Sequence, residues 1–357
     1  MSLPPVYATR EDVMRALDVK LTARVSAQID RALQSASRSV DGLCHRRFWP
    51  QVDTRYFDWP DSQYRPSWRV WLDDSELISL TSVTTGGEPL DVGDLLLEPN
   101  RSGPPYSRIE VNIGSNAAWG GGDTHQRDIA ITGLWGYRND ETTIGTLTAP
   151  VASTTAGTVP VDGPASAALG VGSVLRIDAE RLLVTERQMA DTGQTLGGSG
   201  LTDKQNSVTI TVTDGTGFAT GEILLIDSER MLLVDIAGNT LTVIRAWDGS
   251  TLAAHTTGAG IYAPRALSVQ RGALGTTAAT HGSGASVARW DPPGLVHDLA
   301  LAEAVNRLSN EQAGYARTRK TGDGGGSTER AKSAQDLPDL RAQTYTACGR
   351  KGRVRSV

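Results

Sequence analysis

The sequence predicts an α+β fold: a small helical core, an embedded small β domain and an inserted, nested pair of all-β modules. Helical patterns occupy both ends of the 357-residue chain, at about 9–47 and 295–345, and both are mildly basic. The long middle is made of short apolar runs separated by turn residues and carries the acidic excess. With 39 Gly and 5% aromatic residues, the composition is typical of many short strands rather than one large enzyme core.

Two amphipathic helices are predicted within residues 1–50. Thr9 can cap a short first helix that has acids in its first turn. A longer helix starts at Thr22, with an apolar face formed by Val25, Ile29, Leu33, Ala36, Val40 and Leu43. On the opposite side, Arg24, Arg31 and Arg38 recur every seventh residue. This basic stripe is either a solvated surface or one that faces DNA or an acidic neighbour.

The C-terminal helices are predicted within residues 291–345. Asp291-Pro292-Pro293-Gly294 ends the β pattern, and a helix then runs to about Thr318. A Gly-rich connector leads to a final helix that Gly349 should stop. The basic tail, 346–357, has no core-forming pattern and is expected to become ordered only on a partner. Its candidate docking residues are Arg350, Lys351, Arg353, Arg355 and Val357.

Residues 51–145 are predicted to form the small β domain. Short strands are expected at 56–59, 69–72, 78–83, 108–112 and 129–137. Tryptophans cluster in this region, at Trp59, Trp68, Trp71, Trp119 and Trp135. They could form a stacking platform for sugars or bases, but aromatic residues more often fill the core of a small β domain. We therefore expect most of them to be core residues.

Residues 146–290 contain an internal repeat that predicts nesting. The segment Ile177–Leu183 recurs at Ile226–Leu232, and the segment from Arg245 to Gly258 recurs from Arg271 to Gly284. Both copies of the first motif precede both copies of the second, which a tandem arrangement would not produce. The economical explanation is one module, 202–264, inserted between the two halves of another, 146–201 and 265–290.

The first repeated motif contains paired acids. Its two copies supply Asp178, Glu180, Asp227 and Glu229. Acids two positions apart on a strand share one face, so each pair could bind Ca²⁺ or perform acid–base chemistry. Each Glu is followed by an arginine, Arg181 or Arg230. We therefore expect cross-strand salt bridges at a turn instead.

The sequence shows no enzyme motif, and no metal or cofactor is expected. His255 and His281 lie in turn-like segments without a second ligand at metal spacing, so hydrogen-bonded turn histidines are the better interpretation. Cys44 and Cys348 are far apart and form no disulfide framework. No apolar stretch approaches the ~18 residues that a membrane span requires, so no membrane partner is expected.

The segments 7–18, 28–33 and 37–48, the last ending in Cys44-His-Arg-Arg-Phe48, resemble the head-to-tail adaptor proteins of tailed bacteriophages. This family is also called head-completion or connector proteins. The strand ending in Thr132–Tyr137 and the helix Leu299–Leu308, with Tyr315-Ala-Arg317, are similar to members from phages of actinobacteria. The resemblance covers about 1–140 and 291–357 and leaves out the repeats.

The resemblance implies a non-enzymatic structural protein of the virion neck, assembled in the host cytoplasm. Its members form rings of commonly twelve copies that dock on the portal protein, and a tail-side stopper or tail terminator protein attaches beneath. Double-stranded DNA passes through the lumen, where Arg24, Arg31 or Arg38 would make sequence-independent contacts. The basic tail would insert into the portal. The alternative is a phage surface decoration or carbohydrate-binding protein that uses the β modules, which an exposed aromatic pair on one module would favour.

Overall fold

The computed structural model describes residues 4–17, 23–60, 67–101, 103–312 and 336–350, without the side chains of residues 23 and 24. It is a mixed structure of helices and antiparallel sheets. The chain divides into two compact units. The first contains residues 1–43, 141–273 and 277–348, and the second contains 44–140, 274–276 and 349–357.

Four of the five described helices begin close to where the sequence predicts them, and the predicted end near Thr318 lies outside the described residues. The described helices are α1 Arg10–Leu17, α2 Ala23–Cys44, α3 Gly163–Ala168, α4 Gly294–Gln312 and α5 Leu337–Cys348. Before α1, the Thr9 amide and hydroxyl both donate to the Asp12 carboxylate, at 2.9 and 2.6 Å, and the Asp12 amide donates back to the Thr9 hydroxyl. These reciprocal bonds satisfy amides that the first helical turn leaves without partners.

The terminal helices pack together in the first unit. Ile29, Leu33 and Ala36 on one face of α2 are buried against Ala304 and Leu308 of α4, together with the apolar side of α1. Their spacing places them on one stripe of each helix, which explains why this face is buried. The helical patterns at the two ends of the sequence therefore contribute to one hydrophobic core.

The second unit contains a small β domain with two antiparallel sheets. Its strands are β1 Gln51–Phe57, β2 Arg69–Trp71, β3 Leu77–Thr85, β4 Glu88–Leu90, β5 Leu95–Glu98, β6 Arg108–Val111 and β7 Ile129–Trp135. The sheet orders are β1-β7-β3-β4 and β2-β6-β5. Trp135 is fully buried and Trp59 and Trp119 pack at the edge of the core, as expected, whereas Trp68 is 42% exposed.

The remaining strands form one ten-stranded antiparallel sheet in the first unit. They are β8 Glu141–Thr146, β9 Thr158–Pro160, β10 Val174–Ile177, β11 Glu180–Thr195, β12 Thr209–Thr211, β13 Ile223–Ile226, β14 Glu229–Ala237, β15 Thr240–Ile244, β16 Gly260–Gln270 and β17 Ser286–Trp290. The order is β12-β15-β14-β13-β16-β11-β10-β17-β8, and β9 pairs with β16. The long strands β11 and β16 pair along most of their length, with three register shifts.

The repeat is visible in the strand register. Leu183 pairs with Gln270 in one copy and Leu232 with Ile244 in the other, and both copies have a register shift immediately afterwards. Each copy contains six strand segments, because the two halves of β11 and of β16 belong to different copies. We call the copies the outer module and the nested module. Their buried cores are separate: the outer core draws on residues 147–184 and 267–287, and the nested core on residues 196–263.

The division between the modules therefore falls inside two continuous strands. Leu196 and Leu201 precede position 202 in the chain but belong to the nested core. The prediction placed 146–201 entirely in the outer module, since the recognisable repeat begins only at the two hairpins. Because β11 and β16 each run through both modules, the composition does not change at the boundary and the sequence does not mark it.

The prediction that both modules are all-β is wrong for the outer module, which contains helix α3. Asp162 caps α3 by accepting a hydrogen bond from the Ala165 amide, and Pro164 lies at the first helical positions. A capping acid followed by proline and small residues favours a helical turn. The repeated motifs lie outside this segment, so they gave no information about its secondary structure.

A buried ion pair lies where the two modules meet. Arg265, in the middle of β16, binds the fully buried Glu222 through two hydrogen bonds of 2.8 and 2.9 Å and also donates to the Gly217 carbonyl. Gly163 at the start of α3 leaves room for this pair, since a Cβ there would lie 3.1 Å from the Arg265 guanidinium. The pair connects the nested module to the strand that leads out of it.

Replacing Leu33 with alanine should destabilise the helical core. Leu33 is 1% exposed, and truncation of a buried leucine costs about 2–5 kcal/mol because a cavity remains. Arg31→Ala on the same helix is the matched control, because an exposed ion pair contributes about 0–1 kcal/mol. Guanidinium unfolding followed by far-UV circular dichroism measures both. Equal midpoints for the two variants would show that the α2–α4 core does not support the fold.

Candidate functional site: twin carboxylate networks and the helical surface

The repeated acids lie at two equivalent hairpins, β10–β11 and β13–β14. Asp178 and Asp227 occupy the turns with left-handed backbone, each with a φ of +51°. Glu180 and Glu229 are the first residues of the following strands and point into the modules, where both are buried. Aspartate tolerates the left-handed region better than most residues, which explains its place in the turn.

In the nested module, Glu229 is the centre of a buried network. Arg245 donates to both Glu229 carboxylate oxygens at 2.8 Å, and the amides of Ala246 and Ala253 donate to the same carboxylate at 2.9 and 3.0 Å. The His255 ring lies between two acids: Nδ1 is 2.7 Å from Asp227 and Nε2 is 2.9 Å from Glu229. Arg245 also donates to the carbonyls of residues 202, 207 and 253.

The outer module repeats the same network around Glu180. Arg271 donates to both carboxylate oxygens at 2.8 Å, and the amides of Gly272 and Ala279 add bonds of 2.8 and 2.9 Å. His281 is 2.8 Å from both Asp178 and Glu180. Arg271 also reaches the carbonyls of residues 153 and 156, so it connects segments more than a hundred positions apart in the chain.

Each histidine ring bridges the two acids of its own hairpin. Both ring nitrogens of His255 and His281 face carboxylate oxygens. A ring nitrogen that carries a hydrogen donates it to such an oxygen. Each ring therefore connects the aspartate of the turn to the buried glutamate.

The pKa values of the two buried glutamates are low. Burial on its own would raise the pKa of Glu180, but the hydrogen bonds from Arg271, the two amides and His281 outweigh it and lower the pKa to about 2. The pKa of Glu229 is lowered to about 2 for the same reason, by Arg245, His255 and two amides. Both carboxylates are therefore ionised throughout the neutral range.

This geometry suits a structural role. The His255 and His281 side chains are 1% and 0% exposed, so no substrate reaches the rings. Both oxygens of the Glu180 and Glu229 carboxylates are bonded by protein donors. Among the residues that the structure describes, no group of three or more His, Cys, Asp or Glu could hold a metal ion. The expectation that both histidines are hydrogen-bonded turn residues is confirmed, and their partners are the repeated acids.

Salt bridges are present at both hairpins, as expected, but Arg181 and Arg230 do not bind the glutamates that precede them. Arg181 binds Glu141 at 3.2 Å, and Arg230 approaches Asp248 at 3.6 Å. Consecutive strand residues point to opposite faces, so an arginine directly after an inward glutamate cannot reach it. The partners are Arg245 and Arg271 of the second motif. The sequence contained a signal for this pairing: both motifs are present in both copies, as expected for two segments that contact each other.

The predicted basic stripe is engaged by acids where it is described. Arg31 is 67% exposed and donates to Glu311 of α4 at 3.0 Å. Arg38 contacts Asp41 at 3.0 Å, donates to the Pro5 carbonyl at 2.8 Å and lies over the Tyr7 ring. The side chain of Arg24 lies outside the described residues. Of the described pair, Arg31 is the more accessible to a partner.

The predicted C-terminal tail begins later than expected. Residues 346–348 belong to α5, whose pattern ends at Cys348 rather than at position 345. The Arg350 amide donates to the Cys44 carbonyl at 2.9 Å, and its guanidinium donates to Asp74 at 2.9 Å. The helix continues because nothing before Gly349 stops it. Lys351, Arg353, Arg355 and Val357 lie outside the described residues.

A charged network that no sequence motif predicts connects α1 to the outer module. Arg10 is buried between Asp30 of α2 and Glu186 of β11, with contacts of 2.7 and 3.0 Å. Glu11 accepts the Val171 amide at 2.8 Å and lies 3.3 Å from Arg187. Neighbouring charges of opposite sign at 10–11 and 186–187 are the only sequence signal for this contact.

Comparison with protein-family models, curated proteins and solved structures returned no match for this chain. Among the described residues, no helix combines the length and apolarity that crossing a bilayer requires. Both cysteines, Cys44 and Cys348, are buried. The contacts described above are therefore the basis for a functional proposal.

Replacing Glu229 with glutamine should strongly destabilise the protein. The change leaves Arg245 and His255 buried without their anionic partner, and breaking a buried pair costs about 3–5 kcal/mol. Asp235→Asn, an exposed acid of the same strand, is the matched control and should change stability by less than about 0.5 kcal/mol. Differential scanning calorimetry measures both. A melting temperature for Glu229→Gln equal to that of the control would contradict the structural role.

The low pKa values of the two glutamates predict acid-dependent unfolding. Their stabilisation is fully present above about pH 4.5, the ordinary glutamate value, and is lost as the pH falls through about 2. The shift corresponds to about 3 kcal/mol for each carboxylate. Urea unfolding at a series of pH values measures the slope. Glu180→Gln should flatten that slope, and an unchanged slope would argue against the low pKa.

Proposed function

We propose that this chain is a structural virion protein, a head-to-tail adaptor of a tailed bacteriophage that joins the portal to the tail. The packing of the terminal helices carries the proposal. The segments with the family resemblance, 7–48 and 299–308, are distant in sequence and supply both sides of one core, including Leu33 and Leu308. A discontinuous core of this kind leaves the repeated modules as an insertion within it.

Ring formation requires a heterologous subunit contact, in which two different surfaces of the same chain meet. The outer sides of α2 and α4 suit such a contact because they are charged and at least partly exposed. Arg31 with Glu311, and Arg307 with Ser35, already connect these two helices at their surface. The proposed ring has the twelve copies that the resemblance implies, with the tail-side stopper or terminator protein beneath.

The charge distribution favours a peripheral place for the nested module. Residues 202–264 contain seven Asp and Glu against three Lys and Arg. Like charges repel the phosphate backbone, so this module would face away from DNA in the channel. Among the residues of the predicted stripe, Arg31 is the best candidate for non-specific phosphate contact, since its side chain is 67% exposed.

The basic residues after Arg350 would dock on the portal. Arg350 itself is held by Asp74 and by the Cys44 carbonyl, so it would anchor the start of the docking segment. The segment beyond it, 351–357, adds three basic side chains, Lys351, Arg353 and Arg355. A short basic segment of this kind pairs well with an acidic surface on a partner.

The carbohydrate-binding alternative has less support. It required an exposed aromatic pair on one module. In the nested module, Phe218 is buried, Trp247 is half-buried and Tyr262 is 39% exposed. One exposed ring does not form the two-sided platform on which sugars stack.

Mass photometry of the purified protein, with and without the portal protein, tests the adaptor proposal. We expect rings on the portal and no such complex with an unrelated ring-shaped protein. Failure to bind the portal, with the monomer folded, would refute the proposal.

Truncation after Arg350 tests the docking segment. Because α5 and the Arg350 contacts remain, the melting temperature should be unchanged, whereas co-purification with portals should be lost. A triple variant, Lys351→Ala, Arg353→Ala and Arg355→Ala, separates charge from length and should weaken attachment in a salt-dependent manner. Normal co-purification of the truncated chain would place the portal contact elsewhere.

A further inference from the structure

The two modules differ at the face of the sheet that points away from their cores: among the described residues, this face is covered in the outer module and open in the nested module. On the outer module this face contains Val174, Leu183 and Ala288, which are 2%, 6% and 6% exposed. Their register equivalents on the nested module are Ile223, Leu232 and Tyr262, the last of them 39% exposed. The same sheet position is therefore buried in one copy and accessible in the other.

The outer module is covered by the chain's own N-terminal segment. Pro4 and Val6 line a small cavity with Leu33 of α2 on one side and Leu183 on the other. Gly172 lies directly beneath Val6, since a Cβ at this glycine would come within 2.4 Å of the valine side chain. Tyr7 packs against Trp290 with ring centroids 6.2 Å apart. An apolar segment leading into a helix thus occupies this face.

The nested module has the same backbone site, and no described residue occupies it. Gly221 has a φ of +91°, close to the +100° of Gly172, and its amide donates to the Leu233 carbonyl as that of Gly172 donates to Val184. A Cβ at Gly221 would meet no described atom nearer than the Ala167 side chain at 3.9 Å. The space that Val6 fills on the outer module is therefore open over Gly221.

The open face is more apolar than a solvated sheet face should be. Outward positions of a half-exposed antiparallel sheet are normally polar. Here the outward residues form two adjacent rows across the strands, and Val234 in the register shift adds a further exposed apolar side chain. The apolar members are Ile223, Leu225, Leu232, Val234, Ile244 and Tyr262.

A charged position at the rim is also repeated. Glu186 of the outer module binds Arg10, in the first turn of α1, at 3.0 Å. Asp235 is its equivalent, because both acids directly follow the register shift, paired with Ser268 and Thr242 respectively. Asp235 is exposed. A ligand that placed a basic residue as Arg10 is placed would complete the pair.

We propose that the open face of the nested module is a docking site for a partner protein. The partner contributes a short apolar segment that runs into an α-helix with a basic residue in its first turn. The apolar segment rests on Gly221 and Leu232, and the basic residue pairs with Asp235. This site does not depend on the adaptor proposal, since it follows from the comparison of the two modules.

A peptide with the sequence of residues 4–17 is the probe, because it has the chemistry of the known occupant of the equivalent face. Fluorescence anisotropy with the full-length protein should give saturable binding of one peptide per chain. Leu232→Glu should weaken binding at least tenfold, and so should Ile244→Lys. The Ile244 side chain is 43% exposed, so its replacement should leave the fold intact. Asp203→Arg, an exposed acid in the 202–207 loop, is the control and should leave binding unchanged.

A charge exchange tests the rim contact. Asp235→Arg should weaken binding of the peptide several-fold, and a peptide with Arg10→Glu should restore it on this variant only. Absence of binding, or binding unaffected by both Leu232→Glu and Ile244→Lys, would overturn the proposal. The proposal would also be overturned if the protein self-associates and Leu232→Glu or Ile244→Lys abolishes that association, because a second copy would then cover the face.

Discussion

The double-module insertion depends on one interaction, the buried pair between a hairpin glutamate and an arginine far along the chain. Glu180 and Arg271 are separated by the whole nested module, yet they meet through two bonds of 2.8 Å. A buried charge is tolerated only when it is fully paired. Because Glu180 lies in the first half of the outer module and Arg271 in the second, neither half can form the buried core alone.

The same interaction explains why each copy of the repeat retains three polar residues in its interior, a glutamate, an arginine and a histidine. The glutamate also binds the backbone amides of the loop that contains the histidine, so one carboxylate fixes a hairpin, an arginine turn and a histidine turn at once. Apolar side chains would fill the space but would not hold these loop amides. The other strands of the sheet extend from these two fixed ends of the modules.

The sequence predicted the elements whose information is local. The helices were predicted from the apolar spacing at Ile29 and Leu33 and from the cap at Thr9. The repeat was predicted from the recurrence of the same residues in two segments. Contacts between distant segments were the part that could not be predicted. Arg10 with Glu186 is one example, because nothing local distinguishes it from any other pair of charges. The division inside β11 and β16 is another, since a continuous strand carries no boundary signal.

The nested arrangement also has a consequence for how such a chain could gain or lose parts. Glu141 and Trp290, the first and last residues of the inserted strands, are paired on neighbouring strands β8 and β17. The same holds one level down, where Ala190 pairs with Ala263 at the point where β11 and β16 pass into the nested module. Each insertion thus leaves the chain where it entered. Loss or replacement of either insertion would therefore need only a tight turn to join the two ends of the remaining chain.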